Sequence, residues 1–198
     1  MHQISAILHA DGGSRGNPGP SAGGAVLLNE DGETIGTVSD YCGETTNNVA
    51  EYRGLIAGLT LAYRKGVTDL DIFLDSELVV KQLSGEFRSN PALEALRNEA
   101  QRLMEYFSRC EVNHVSREQN AAADAVVNAC LDRYTQVEKR TRDIDRKIKR
   151  MLKSLDVVKK KTKDNLEVGR LLDEMLADLE ELRKTHGIGS DMNFPEED

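Results

Sequence analysis

The chain has 198 residues, of which 39% are hydrophobic and 30% charged, enough for one domain with a sizeable core plus something extra. No apolar run approaches the ~18 residues of a membrane span, and no charged-then-apolar start resembles a secretory signal, so no membrane association and a cytoplasmic location are expected. Three widely spaced cysteines (Cys42, Cys110, Cys130) lack metal-ligand spacing and are expected to be free thiols.

The net charge of −8 is unevenly spread, and its blocks divide the chain. Residues 1–134 carry 11 Lys and Arg against 19 Asp and Glu; residues 135–163 carry 12 against 4; residues 164–198 carry 3 against 11. Glycines crowd the first block and are absent from 135–168. We therefore expect a folded body over 1–134, a helical extension over 135–186, and a disordered tail over 187–198.

In chain order, residues 3–10 form an apolar run that predicts a strand ending on Asp11. "AGGAVLLN" and "ETIGTVSDY" flank Asn29-Glu30-Asp31-Gly32, a hairpin signal. Val49, Tyr52, Ile56, Leu59 and Tyr63 then recur at helical spacing, with an asparagine as the expected cap and Gly66 as the stop. "LDIFLD" predicts a buried strand that also ends on a carboxylate, Asp75. Two helices follow, "SELVVKQLSG" and a longer one opened by Pro91. "CEVNHVS" predicts a fifth strand and "NAAADAVVNACLDRY" a final helix. The order β-β-β-α-β-α-α-β-α implies an α/β fold, a five-stranded mixed sheet flanked by helices.

This arrangement has a chemical consequence. If the first and fourth strands are neighbours, Asp11 and Asp75 lie side by side, with Glu51 in the first helix and Asp124 in the last able to converge on them. Four acids that close resist joint ionisation, and oxygen-only ligation suits two hard cations, magnesium or manganese. Helix capping and solvation give an equally ordinary reason for acids at element ends.

Four blocks in register decide between these readings. "DGGSRGNPGP", "TTNNVAEYRGLIAGL", "DSELVVKQLSG" and "VSREQNAAAD" resemble the type 1 ribonucleases H over residues 3–134. The resemblance implies an RNase H-like fold and hydrolysis of the RNA strand of RNA–DNA hybrids, leaving 5′-phosphate and 3′-hydroxyl ends. It implies Asp11, Glu51, Asp75 and Asp124 as catalytic ligands of two Mg2+ ions, with Mn2+ a possible substitute, and Glu51 as a contact to the ribose 2′-hydroxyl. Gly12, Gly13, Asn17, Thr46, Asn47 and Asn48 match positions that hold nucleic-acid backbones, so cutting should be largely sequence-independent. The loop before the last acid lacks the histidine that many relatives carry there, and Arg117 is the nearest cation. A basic, tryptophan-containing protrusion is also missing. Broader specificity, including double-stranded RNA, and a non-cleaving hybrid-binding or scaffolding module are the rival expectations.

Beyond the body, Tyr134, Val137, Thr141, Ile144, Ile148, Met151, Leu155 and Val158 advance by threes and fours, a heptad seam with basic outer faces. Val168 to Leu182 repeats the pattern with acidic ones, and "KKTKDN" interrupts the two. The segment 135–186 is expected to form a coiled coil or helical hairpin, as a homodimer or protein-partner surface or as a contact to phosphates.

Overall fold

A computed structural model describes residues 4–162 and 165–185; the expected disordered tail at 187–198 lies outside them. The elements follow the expected order: β1 (Ser5–Ser14), β2 (Gly19–Leu28), β3 (Thr34–Thr45), α1 (Asn47–Arg64), β4 (Asp69–Leu74), α2 (Glu77–Leu83), α3 (Pro91–Met104), β5 (Arg109–His114), α4 (Ala121–Lys161) and α5 (Leu166–Thr185). A 3-10 turn, Arg117–Asn120, precedes α4. The sheet runs β3-β2-β1-β4-β5, antiparallel across β1–β2–β3 and parallel across β1–β4–β5.

The hairpin forms where its turn residues require it. Asn29 accepts hydrogen bonds from the Asp31 and Glu33 amides through its side chain, closing the loop between β2 and β3. Both strands reach further than their apolar runs, because Gly19 pairs with Thr45 across residues that read as a turn. Helix α1 is opened by Thr46, without a side-chain cap bond, rather than by the expected asparagine. It ends at Arg64 with Lys65 as its C-cap, and Gly66 follows with φ +75°. Its apolar face, with Leu55, Leu59 and Ala62 fully buried, packs on Leu8, Leu27, Leu70 and Ile72 of the sheet. Tyr52 donates its hydroxyl to Gln82 Oε1 at 3.0 Å, tying α1 to α2 inside the core.

Adjacent glycines of β2 show how the layers stack. A Cβ on Gly23 would lie 2.2 Å from the Gly54 nitrogen of α1, whereas one on Gly24 would lie 2.9 Å from Val126 and 3.0 Å from Val127 of α4. Neighbouring residues of a strand point to opposite faces, so α1 covers one side of the sheet and the start of α4 the other. Val127 and Leu131 pack there on Ala22, and Tyr41 stacks on Tyr134 with ring centroids 3.5 Å apart.

The chain divides into two compact units between Tyr134 and Thr135. Within the second, α4 and α5 form a helical hairpin. Ile148 and Leu172 are its buried residues, Met151 and Leu155 face Met175 and Leu179 across one groove, and Lys159 pairs with Asp173. No helix among the described residues is long and apolar enough to cross a membrane. The three cysteines are free and half-buried.

Candidate active site

Asp11 lies inside β1 rather than at its end. Its neighbour Ala10 makes the last parallel pair with Leu74, while pairing with β2 continues to Ser14. Asp11 therefore sits where the β1–β4 ladder stops, and Asp75 is the first residue beyond β4. Glu51 comes from the first two turns of α1. Oxygens of Asp11, Glu51 and Asp75 all lie within 4.8 Å of one another.

The close approach of helix to strand makes this possible. A Cβ on Gly12 would stand 2.0 Å from the Glu51 nitrogen, and one on Gly54 would stand 2.2 Å from the Asp11 carbonyl oxygen. Only hydrogen at both positions lets the α1 backbone rest directly on β1.

Crowding and burial perturb the acids. Asp11, 7% exposed, is pushed up to about 6, first by burial and then by the charges of Asp75 and Asp124; the Gly12 amide, donating to Oδ1 at 2.8 Å, works against this. Burial, reinforced by Asp11 and Asp75, pushes Glu51 up to about 9. Asp75 is held by its neighbours: Asn120 donates to Oδ1 at 3.0 Å, and Arg117 Nε lies 3.6 Å from Oδ2. Arg117 is 90% exposed at its side chain, so it screens Asp75 from the solvent side without sealing it.

Asp124 is exposed in the first turn of α4, where Asn128 one turn later donates to its Oδ2 at 2.9 Å; its oxygens are not among those grouped within 4.8 Å. Its charge still reaches Asp11.

The residues expected to hold nucleic acid are partly structural. Gly12 is buried against α1, and a Cβ on Gly13 would press on Val127 at 3.1 Å. The Asn17 side chain accepts from the Asn47 amide at 3.3 Å, joining the β1–β2 loop to the start of α1. Thr46 caps α1 with its carbonyl, which accepts from the Ala50 amide, and Asn48 is half-buried in the first turn.

Periodicity gave no hint of Asn120. It is 1% exposed, and it donates to the Ala10 carbonyl at 2.9 Å as well as to Asp75. Its Oδ1 lies 3.2 Å from His9 Nδ1, which must then carry the proton. One amide thus fastens β1, Asp75 and the turn before α4 to one another. The available signal was an asparagine one helical turn ahead of Asp124, in a stretch otherwise of alanine.

Three carboxylates, two of them at the carboxyl ends of the parallel strands β1 and β4, form an oxygen-only group that could hold a divalent cation on an RNase H-like fold. A family model described as reverse transcriptase-like matches residues 9–130. A ribonuclease HI of Halobacterium salinarum is 45% identical over 128 residues, 63% of this chain and 64% of its own length. A bifunctional protein of Mycobacterium tuberculosis is 44% identical over 135 residues, 67% of this chain but 37% of its own length. The solved N-terminal RNase H domain of that mycobacterial protein is matched at 42% identity and a TM-score of 0.65, over 68% of this chain and 98% of that one. LC11-RNase H1, from compost and solved with an RNA/DNA hybrid, is matched at 36% identity and TM-score 0.62, over 66% of this chain and 99% of that one. The chain belongs to the type 1 ribonuclease H family.

Proposed function

We propose that this chain is a metal-dependent endoribonuclease. It hydrolyses the RNA strand of RNA–DNA hybrids with little regard to sequence, and residues 1–134 are its catalytic domain. The observation that carries the reading is the group formed by Asp11, Glu51 and Asp75, with oxygens within 4.8 Å of one another. Family membership and a relative solved with an RNA/DNA hybrid support the choice of substrate.

The donor set fits two magnesium ions, with manganese as a substitute. It is all carboxylate, and Asp11 and Glu51 hold protons well above their ordinary range when nothing else neutralises them. Asp11, Glu51 and Asp75 would hold the cations, with Asp124 as the fourth, outlying acid. Bound there, the metal supplies activation of water for attack at phosphorus and charge to neutralise the leaving oxygen.

The chain's own residues do the positioning. Asn120 fixes the direction of the Asp75 carboxylate, and the close approaches of Gly12 to the Glu51 backbone and of Gly54 to the Asp11 backbone fix how far Glu51 stands from Asp11. Glu51, at the α1 edge of the group, is where a ribose 2′-hydroxyl would be told from a deoxyribose. Gly13, Asn17, Thr46, Asn47 and Asn48 would hold the two backbones by position rather than by base.

The test uses an end-labelled RNA–DNA hybrid with RNA–RNA and DNA–DNA duplexes as controls, in magnesium, in manganese and in EDTA. Metal-dependent cutting of the hybrid's RNA strand, lost in Asp11→Asn, is the expected result. Equal cutting of RNA–RNA would broaden the specificity. Hybrid binding without cutting in either metal would replace the nuclease with a binding module.

A further inference from the structure

The charge on α4 beyond Tyr134 is segregated, and the carboxylate site has no use for it. Of the cations there, Arg142, Arg146 and Lys149 pair with acids of their own helix and Lys159 pairs with Asp173. Lys139, Arg140, Lys147, Lys153, Lys160 and Lys161 are exposed and make no ion pair among the described residues; Arg150 makes none either, but it lines the groove with Met175 and Leu179 of α5. At about 100° per residue these six fall within an arc of roughly 160°. Leu155, in the groove shared with α5, and the buried Ile148 lie roughly 140–160° from the middle of that arc.

We propose that this stripe is a sequence-independent binding surface for duplex nucleic acid, seated on its phosphate backbone; the choice of occupant rests on the hybrid-cleaving reading above. From Lys139 to Lys161 the helix rises about 33 Å, close to one duplex turn of roughly 34 Å. The cations recur every turn or two along that length, as a polyanion with a charge every ~1.7 Å of axis requires. The apolar side chains within the arc, Val157 and Val158, are small and stand among the cations, and no aromatic side chain there offers a protein partner an anchor. A membrane surface would need an apolar face beside the basic one, and that face of α4 is taken up by α5. The body carries 11 Lys and Arg against 19 Asp and Glu, so its net charge adds nothing to the hold on a polyanion, whereas a basic surface on α4 would.

The experiment uses the full chain carrying Asp11→Asn, to prevent cutting, and a roughly 30-base-pair labelled RNA–DNA hybrid read by fluorescence anisotropy across a salt series. Six phosphate contacts give a slope of log K against log salt near −5 at about −0.9 per contact. Changing the six residues to glutamine, a good helix former, should at least halve that slope and weaken binding tenfold or more at about 50 mM salt. Changing the five lysines to arginine should preserve both. Double-stranded DNA should compete comparably with the hybrid, because the stripe reads charge. Circular dichroism of the glutamine variant checks that the hairpin persists. Unchanged affinity and slope in a helical glutamine variant overturn the proposal. So does loss of an oligomer, or of binding to phosphatidylserine vesicles, with hybrid binding intact. Wild-type cleavage of the same hybrid is scored in parallel. Stripe-dependent binding without cleavage would sink the nuclease reading and leave the stripe standing.

Discussion

Glu51→Gln should make the metal-free protein more stable while abolishing cleavage. Burial, then the charges of Asp11 and Asp75, push the Glu51 carboxyl from 4.5 up to about 9 in the folded chain. The native state therefore keeps a proton that the unfolded chain releases, so stability falls as pH rises from about 4.5 toward 9. At about pH 7.5 the gap from 4.5 is about three pH units, and at about 1.36 kcal/mol per unit the ceiling on the penalty is about 4 kcal/mol. Water reaches part of Glu51, and Asp11 shares the same crowding, which brings the expected value to about 2 kcal/mol. Glutamine keeps the shape of the protonated acid without that penalty. In EDTA at about pH 7.5, the variant should unfold roughly 6 °C higher than wild type, at about 3 °C per kcal/mol for a chain of this size. At about pH 5 the difference should fall below ~2 °C. Millimolar magnesium should narrow the gap at neutral pH, because it stabilises the wild type preferentially. Thermal denaturation by circular dichroism reads all three. A variant no more stable than wild type in EDTA near pH 7.5, or one whose advantage persists at pH 5, refutes the account of a crowded, proton-holding site.

Three further outcomes are expected. Asn120→Ala removes the donor to Asp75 and the strut to β1; it should cost about 1–3 kcal/mol in urea denaturation and lower magnesium affinity about 10- to 100-fold by calorimetric titration. Gly54→Ala places a Cβ 2.2 Å from the Asp11 carbonyl and should destabilise by about 1–3 kcal/mol despite alanine's better helix propensity, whereas Gly169→Ala in α5, with nothing within 4 Å, should gain about 0.5–1 kcal/mol. Leu59→Ala, fully buried between α1 and the sheet, should cost about 2–5 kcal/mol by the same denaturation.

Much of this molecule was legible in its sequence, for reasons that can be named. The switch from alternating to 3.6-residue periodicity between Tyr41 and Val49 is a burial pattern, and burial decides both α1 and the strands before it. Asp11, Glu51 and Asp75 could be placed because strand neighbours and a helix start are topological facts. Other features depend on contacts that no linear pattern records. Gly19–Pro20 reads as a turn, yet pairing with Thr45 and Glu44 draws it into β2. Asp124 heads the last helix as expected, but its bond to Asn128 one turn later is not foreshadowed by any periodicity. Asn120 looks like a polar residue heading a helix, and only the convergence of β1, Asp75 and the 3-10 turn makes it a buried clamp. Gly12, matched by resemblance to a backbone contact, also lies against the α1 backbone, a closeness no linear pattern records.

That last contact bears on how this chain can drift over evolutionary time. Gly12, Gly23 and Gly54 meet where a helix backbone rests on two strands without side chains between them, and any replacement at one position must be answered by backbone. Compensating changes at neighbouring side chains are closed off, because no neighbouring side chain is there to shrink. Purifying selection should hold these three columns glycine even in descendants that have lost their acids and ceased to cut. An inactive relative would then betray its ancestry through the thickness of its layers after its chemistry had gone.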